Sequence, residues 1–330
     1  MQAIISSMQP SIGGGNTPPT TRTRVVLLAG GTGGAQLAVG FQRVLQPEVL
    51  TVVTNTADDV DMWGLRVCPD TDAVLFRLGG IFNDRLGFGV ADDTTNVLEQ
   101  LARLQESTWF RLGDRDLAFH ILRTSMLRRG LRLTEAIQEL GARLQLCTSV
   151  LPMSDDDVRT YFDTDAGRLG FQEYFVREQL GPRLRGIGFQ GVERARPSPE
   201  VEAAMREADM IVVGPSNPLI SIAPIAAVLE HLRRPERTVA VSPLIGGRAL
   251  KGPTVEMLQA LRGAATPAIV AGEYRDLAAW FVLDEQDAGE RAQVEATGAR
   301  VLLADTVMRD AEGAERLARE LLARLPELDR

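Results

Sequence analysis

The chain has 330 residues, 45% hydrophobic and 24% charged, a composition typical of soluble globular proteins, and no apolar run predicts a membrane span. Its formal net charge of −8 argues against a nucleic-acid-binding or membrane-surface protein, because both need a basic face. Two cysteines and two histidines are too few for a disulfide framework or a structural zinc site, so we predict a cytoplasmic protein.

The first 23 residues are rich in Ser, Gly, Pro and Thr, and we predict that they form a disordered tail. Residues 24–330 are predicted to form a single α/β domain, because strand-like and helix-like patterns alternate along them. An insertion around residues 79–190 is predicted to interrupt this alternation with helices and a few short strands.

A glycine-rich turn follows the first predicted strand. The apolar residues at 25–29 run into Gly30–Gly34, and a helical apolar pattern comes next. Glycine lets backbone N–H groups approach a ligand, and the N-terminus of the following helix favours a phosphate. The alternative is a turn that binds nothing. The turn is neither a Walker A loop nor a regular G-x-G-x-x-G motif, so it predicts a nucleotide-like ligand without specifying which one.

Acidic residues follow the second predicted strand, at 50–55. Asp58, Asp59 and Asp61 come where an open parallel sheet places its ligands, at the carboxyl end of a strand. Such a cluster near an anion site suggests a divalent metal that binds a diphosphate. The alternative is a solvated acidic turn.

The middle of the chain is predicted to be mixed. We predict an irregular segment at 79–93, helices at 73–78, 94–104, 117–129 and 134–140, and short strands at 158–162, 170–176 and 184–189. Around residues 109–120, Asp114 is predicted to cap the helix that follows it, and His120 to be a hydrogen-bonded structural histidine.

The alternation of strands and helices returns in the last third. Strands are predicted at 210–213, 238–241, 280–283 and 300–303, with a further candidate at 268–271 and helices from Pro224 and over 314–325. The turn after residue 213 carries Ser216, Asn217 and Ser221, which predicts a second anion site. The predicted fold class is α/β: a doubly wound, Rossmann-like, mostly parallel sheet with an inserted helical region and a small β excursion.

Several short motifs occur together in one order. They are Ala29-Gly-Gly-Thr-Gly-Gly34, Asn55-Thr-Ala-Asp-Asp59, Cys68-Pro-Asp-Thr-Asp72, Leu112-Gly-Asp-Arg-Asp-Leu-Ala118 with His120, Leu151-Pro-Met-Ser-Asp155, Gly214-Pro-Ser-Asn-Pro218 with Ser221-Ile-Ala-Pro224, and Val241-Ser-Pro-Leu-Ile-Gly246. From about Val25 to the C-terminus, the chain resembles the 2-phospho-L-lactate transferase or phosphoenolpyruvate transferase (CofD-like) family of coenzyme F420 biosynthesis.

The resemblance implies a transferase with two small-molecule substrates. The acceptor would be the deazaflavin Fo, and the donor a guanosine diphosphate ester of 2-phospholactate or phosphoenolpyruvate. The terminal ribityl hydroxyl of Fo would attack the distal phosphorus and GMP would leave, with Mg²⁺ neutralising the diphosphate. The resemblance also implies a homodimer.

The candidate site residues fall into three groups. The catalytic and metal-binding residues are Asp58 and Asp59; the acceptor-binding residues are Asp72, Arg111 and Asp114; and the donor-binding residues are Gly30, Gly31, Thr32, Gly33, Gly34, Ser216, Asn217 and Ser221.

Two alternatives remain at this point. A nucleotide-sugar-binding regulatory protein of the same superfamily would share the glycine turn but lack the Leu-Gly-Asp-Arg-Asp segment, which is present at 112–116. A nicotinamide-dependent oxidoreductase would need a regular G-x-G-x-x-G turn. No residue decides between lactate, enolpyruvate and glycerate as the donor's three-carbon group.

Overall fold

The computed structural model describes residues 22–249 and 252–324. The predicted tail therefore lies almost wholly outside the described residues. The strands are β1 Val25–Ala29, β2 Leu50–Thr54, β3 Val60–Met62, β4 Leu65–Val67, β5 Ser149–Pro152, β6 Arg159–Thr164, β7 Gly167–Gly170, β8 Leu184–Gln190, β9 Met210–Val213, β10 Thr238–Val241, β11 Leu244–Ile245, β12 Arg248–Ala249, β13 Trp280–Asp284 and β14 Arg300–Ala304. The helices are α1 Gly31–Val44, α2 Pro69–Leu78, α3 Asn96–Arg103, α4 Asp114–Arg128, α5 Leu133–Arg143, α6 Pro199–Glu207, α7 Ala223–Val228, α8 Thr254–Arg262, α9 Pro267–Glu273, α10 Arg291–Glu295 and α11 Ala311–Ala323.

One parallel sheet of seven strands organises the molecule, in the order β14-β13-β10-β9-β1-β2-β5. From β1 the chain moves outward to β2 and β5, then returns to the other side of β1 and builds the remaining four strands. This doubly wound order confirms the predicted Rossmann-like α/β fold class. The direction of winding reverses between β1 and β9, which is where open α/β sheets bind their ligands.

Alternation of side chains along β1 supplies both faces of the core. Val25 and Leu27 point to the face covered by α1, α2 and α11, whereas Val26 and Leu28 point to the face covered by α6, α8 and α9. All four side chains are at most 2% exposed. Burying each one contributes roughly 1.5–3 kcal/mol relative to an exposed position. The central strand is therefore fixed from both faces, and so is the turn that leaves it.

The range 79–190 contains two excursions from the sheet. Helices α3, α4 and α5 lie between β2 and β5, and the antiparallel sheet β7-β6-β8 lies between β5 and β9. Strand β5 belongs to the main sheet and separates the two excursions. None of the helices in the described parts of the chain is long and apolar enough to cross a membrane.

Two of the predicted strands are wrong. Residues 268–271 lie in α9, because Pro267 begins that helix and the Thr266 hydroxyl caps it by accepting from the Ile269 N–H at 3.3 Å. At 170–176, the strand β7 ends at Gly170 and a π-helical turn follows over Glu173–Arg177. The helix predicted from Pro224 also begins earlier, with a π-helical turn over Pro218–Ile222.

Candidate active site

Two turns meet where the winding reverses, at the carboxyl ends of β1 and β9. The predicted turn Gly30–Gly34 follows β1, but only Gly30 precedes the helix, and Gly31–Gly34 form the first turn of α1. The turn at 214–217 leaves β9. The buried hydroxyl of Ser216 accepts a hydrogen bond from the Gly30 N–H at 3.1 Å and donates one to the Gly30 carbonyl at 2.6 Å. Ser216 therefore joins the two turns, and its hydroxyl is already used within the protein.

Packing alone requires several of the glycines. A Cβ atom on Gly33 would overlap the carbonyl oxygen of Pro215, and one on Gly34 would lie 2.8 Å from the Cβ of Ala29. Gly31 has a φ of +64°, a conformation that other residues adopt only with strain. The close approach of the two turns and the backbone conformation of Gly31 thus explain these glycines whether or not a ligand binds there.

A cavity of about 1230 Å³ opens on these turns. It exceeds the roughly 300–1,000 Å³ usual for one drug-sized ligand. The predicted donor-binding residues line it with the exception of Gly34, that is, Gly30, Gly31, Thr32, Gly33, Ser216, Asn217 and Ser221. Helix α1 begins at the cavity wall, and its positive end favours an anion there.

Asn217 and Ser221 offer hydrogen-bond donors to the cavity. The side-chain oxygen Oδ1 of Asn217 accepts from the Leu219 N–H at 2.9 Å and so caps the π-helical turn. Within the described residues, the only hydrogen-bond partner of its Nδ2 is the Met257 sulfur, a weak acceptor, at 3.7 Å. The Ser221 hydroxyl makes no hydrogen bond within the described residues. Both groups are therefore available to a ligand phosphate.

Two carboxylates lie beside each other on the same cavity wall. The amide nitrogen of Asn55 donates to Asp58 at 2.9 Å and to Asp70 at 3.0 Å. The Thr160 hydroxyl donates to the other oxygen of Asp58 at 2.8 Å, and the Gly31 N–H donates to the other oxygen of Asp70 at 2.7 Å. Asp58 follows β2 and Asp70 lies in the first turn of α2, so separate elements bring the pair together.

Burial makes this pair costly to ionise without a cation. It raises the pKa of Asp58 well above the usual value, and the nearby charge of Asp70 raises that pKa further. Burial raises the pKa of Asp70 to about 6, against the lowering effect of hydrogen bonds from Asn55 and Gly31. A cation between the two carboxylates would favour their charged forms.

Asp59 lies behind this wall and is not among the residues that line the cavity. The buried thiol of Cys68 donates to its carboxylate at 2.9 Å, and Arg66 lies 4.0 Å away. Burial raises the pKa of Asp59 to about 7, and the hydrogen bond from Cys68 opposes this shift. The structure thus brings Asp70, rather than Asp59, beside Asp58.

The donor set fits a hard divalent cation better than a soft one. No three His, Cys, Asp or Glu side chains come together as a metal site in residues 22–249 or 252–324. Mg²⁺ commonly binds through one or two carboxylates and completes its shell with water and substrate phosphates. Asp58 and Asp70 supply two carboxylates beside the N-terminus of α1, which suits that mode.

Residues 25–322 match the family model of 2-phospho-L-lactate transferase CofD. The chain belongs to this family. A 2-phospho-L-lactate transferase of Methanosarcina barkeri is 35% identical over 296 residues, which cover 89% of this chain and 96% of that protein. A phosphoenolpyruvate transferase of Streptomyces griseus is 39% identical over 312 residues, which cover 91% and 97%. The predicted resemblance is confirmed, and this CofD-family protein is a transferase.

A solved structure supports the fold independently. The crystal structure of a UPF0052 family member from Bacillus halodurans superposes with a TM-score of 0.58 at 17% identity. The match covers 92% of the present chain and 99% of the Bacillus halodurans chain. At this identity the likeness speaks for the shared α/β architecture alone.

The acceptor residues suggested by the family resemblance fall in different environments. Asp72 is buried and forms an ion pair with Arg123, and its other oxygen lies 3.6 Å from Nδ1 of His120. Burial lowers the pKa of His120 to about 4, so this histidine is neutral and part of the buried cluster, as predicted. Asp72 does not line either of the cavities described here.

Arg111 lines a second cavity, of about 520 Å³. This cavity adjoins the first, because Asp84 and Leu86 line both. Arg111 makes no ion pair or hydrogen bond within the described residues. Its guanidinium is therefore free to contact a ligand, with the apolar side chains of Phe88 and Leu112 in the same wall.

Asp114 caps a helix, but not the one predicted. It accepts from the N–H groups of Asn96 and Val97, both at 3.0 Å, and so caps α3, which precedes it in the chain. These hydrogen bonds and one from Thr94 lower its pKa to about 2. Helix α4 is capped instead by Asp93, which accepts from its first-turn N–H groups. Each of the two helices is thus capped by an aspartate at or near the start of the other, which holds α3 against α4.

Asp116 gives a pH prediction. Burial raises its pKa to about 7, and the charge of Asp72 contributes to the shift. A carboxyl whose pKa is raised by folding stabilises the protein fully below its unfolded value, near 3.9, and this stabilisation is lost as the pH rises through 7. We expect the stability of Asp116→Asn relative to the parent to increase by roughly 4 kcal/mol as the pH rises from about 4 to about 8. Urea unfolding at both pH values measures it; a pH-independent difference would contradict it.

Asp70 and Arg77 are among the residues of the cavity wall that the sequence analysis did not assign. Asp70 was quoted within the motif Cys68–Asp72 but given no role, although a carboxylate in the first turn of a helix that begins with proline is a recognisable signal. Arg77 gave no signal, because a single arginine in an amphipathic helix is usually a solvated one.

Proposed function

We propose that the protein transfers a 2-phospho-L-lactate or phosphoenolpyruvate group from its guanosine diphosphate ester to the ribityl hydroxyl of the deazaflavin Fo, in coenzyme F420 biosynthesis. The observation that carries the proposal is the cavity at the reversal of winding, where an anion-binding turn, free amide and hydroxyl donors and a carboxylate pair meet. Family membership supports the group transferred.

The donor's diphosphate would lie along Gly30–Gly33, with Asn217 and Ser221 donating to its oxygens. All of these residues line one cavity, and the Asn217 amide and the Ser221 hydroxyl leave hydrogen-bond donors available to it. Asp58 and Asp70 would hold Mg²⁺ at the phosphate that is attacked, with Asn55 keeping the carboxylates in place. The bound ion would neutralise charge on the diphosphate.

The acceptor would occupy the smaller cavity beside Arg111. Its ring would lie against the apolar wall, and its ribityl chain would pass Asp84 and Leu86 into the larger cavity. The terminal hydroxyl oxygen would form the new bond to the distal phosphorus. The bond from that phosphorus to the bridging oxygen would break, so that this oxygen leaves as part of GMP, and the hydroxyl proton would pass to water. Asp72 would then support the acceptor pocket from behind through Arg123.

The resemblance also supports a cytoplasmic homodimer that acts on small molecules. The second candidate function, a nucleotide-sugar-binding regulatory protein, is not favoured, because the Leu-Gly-Asp-Arg-Asp segment lines the smaller cavity through Leu112, Gly113 and Asp116.

Product analysis tests the proposal. The purified protein is incubated with Fo, Mg²⁺ and each guanylylated donor (lactyl, enolpyruvyl and glyceryl), and products are identified by mass. We expect the phosphodiester of Fo and GMP in equal amounts from at least one donor. Failure to form an Fo adduct from any of the three would contradict the proposed function.

Asn217 provides a separate test of the donor site. Asn217→Asp keeps the oxygen that caps the π-helical turn but replaces the amide donors with a negative charge. We expect GDP binding to weaken by roughly 1–3 kcal/mol, the scale of charge-assisted hydrogen bonds, with little change in unfolding free energy. Calorimetry with GDP and urea unfolding measure the two quantities. Unchanged GDP affinity would place the phosphates elsewhere.

A further inference from the structure

The three-carbon group of every donor considered above carries a carboxylate next to the ester oxygen. If Asp58 and Asp70 hold a cation at the phosphates, the carboxylate still needs a cationic partner in the same cavity. Among the described residues, Arg77 and Arg309 are the basic side chains that line this cavity. Arg309 is exposed, whereas the side chain of Arg77 is only 10% exposed.

Arg77 is held in place before any ligand binds. It lies on α2, seven residues after Asp70, which is about two helical turns along the same face. Side chains on a helix lean towards its N-terminus, so the guanidinium leans back in the direction of Asp70. Its central carbon lies 4.0 Å from the centroid of the Phe82 ring, and its Nη1 donates to Gln36 at 2.6 Å.

The other edge of the guanidinium is unused. Its Nε is buried without a hydrogen-bond partner, and Nη2 makes no hydrogen bond within the described residues. Nε–H and Nη2–H form the side-on fork that matches a carboxylate with two parallel hydrogen bonds. The only acidic partner in the described chain is Asp84, 2.9 Å from Nη1, and its side chain is 80% exposed. Such an exposed partner holds the arginine weakly and can give way to a ligand.

We propose that Arg77 binds the carboxylate of the donor's three-carbon acid and thereby selects donors that carry one. This inference rests on the proposed function. It assigns Arg77 to a feature that lactate, enolpyruvate and glycerate share, so it sets the class of donor and leaves the choice within that class to other contacts.

Calorimetry with matched ligands tests the assignment. Arg77→Gln is titrated with GDP, which lacks the three-carbon acid, and with the lactyl ester of GDP. The control is Arg103→Gln, which changes an exposed arginine on α3 that lines neither cavity. We expect Arg77→Gln to weaken binding of the ester by about tenfold or more and to leave GDP binding within about twofold of the parent. Arg103→Gln should bind both ligands as the parent does.

A neutral ester supplies the second arm. The isopropyl ester of GDP has the shape of the lactyl ester without its carboxylate. The parent should prefer the lactyl ester, Arg77→Gln should bind both alike, and Arg77→Lys should restore part of the preference. An unchanged preference in Arg77→Gln, or an equal loss for GDP and both esters, would overturn the assignment. Failure of the parent to bind GDP at all would overturn the proposed function instead.

Discussion

Asp58→Asn and Asp70→Asn are each expected to lower kcat by about a hundredfold to a thousandfold, the usual effect of removing one preorganised charge from a phosphoryl-transfer site. Asparagine keeps an oxygen that can accept from Asn55, so the wall should retain its shape while losing a negative charge. The Mg²⁺ concentration for half-maximal rate should rise in both variants. Steady-state kinetics over a range of Mg²⁺ measures both quantities.

Two neighbouring aspartates supply the controls. Asp61 belongs to the same acidic run, but its side chain is 58% exposed and pairs with Arg66, so Asp61→Asn should keep the parent rate within about twofold. The kcat of Asp59→Asn should lie between that of Asp61→Asn and those of the two cavity variants, because the Asp59 carboxyl faces Cys68 and not the cavity. If Asp58→Asn and Asp70→Asn both kept the Mg²⁺ dependence of the parent, the two carboxylates would have a structural role and would not bind the metal.

Arg123→Met is expected to destabilise the fold by about 3–5 kcal/mol, because it leaves the charge of Asp72 buried and unpaired. Arg123 is fully buried, and its Nη1 also donates to the Arg66 carbonyl at 3.2 Å, so the loss extends to the hairpin β3–β4. Equilibrium unfolding in urea gives the difference.

The double variant Asp72→Asn with Arg123→Met separates this role from a direct acceptor contact. Removing both charges should recover part of the stability lost in Arg123→Met. If Asp72 contacts Fo directly, Asp72→Asn should raise the KM for Fo while leaving the unfolding free energy unchanged. That outcome would contradict the supporting role given to Asp72 and Arg123.

The meeting of the two turns follows closely from sequence. Strand-like runs end at residues 29 and 213, and parallel strands bring their carboxyl ends to one edge, so Gly30–Gly34 and the Ser216–Asn217 turn could be expected to meet. The sequence pattern cannot show which contacts join the two turns. Two details depend on atomic distances between segments that are far apart in the chain. They are the hydrogen bonds of the Ser216 hydroxyl with Gly30 and the overlap that any Cβ on Gly33 would cause.

The pairing of Asp58 with Asp70 could not be predicted from the sequence. Adjacent acids invite a joint role for Asp58 and Asp59, but neighbouring residues in a turn point in different directions. The Asp59 carboxylate is buried against Cys68, and Asp70 reaches Asp58 through Asn55 from a helix that begins eleven residues later (Asp58 to Pro69). Only the packing of α2 against the end of β2 decides this.

Secondary structure was misjudged where local signals conflicted. The apolar run at 268–271 suggests a strand, yet the cap from Thr266 and the proline after it start a helix. Strand β5 gave no alternating pattern, because it has four residues and three of them are buried. Its place at the edge of the main sheet comes from pairing with β2 and not from its own sequence.

Crystals grown with GDP and Mn²⁺ test the central claim most directly, because anomalous scattering locates the metal. The account predicts one peak within about 2.5 Å of a carboxylate oxygen of both Asp58 and Asp70, with the diphosphate along Gly30–Gly33. A peak at Asp59 instead, or a diphosphate bound away from the turn that follows β1, would contradict it.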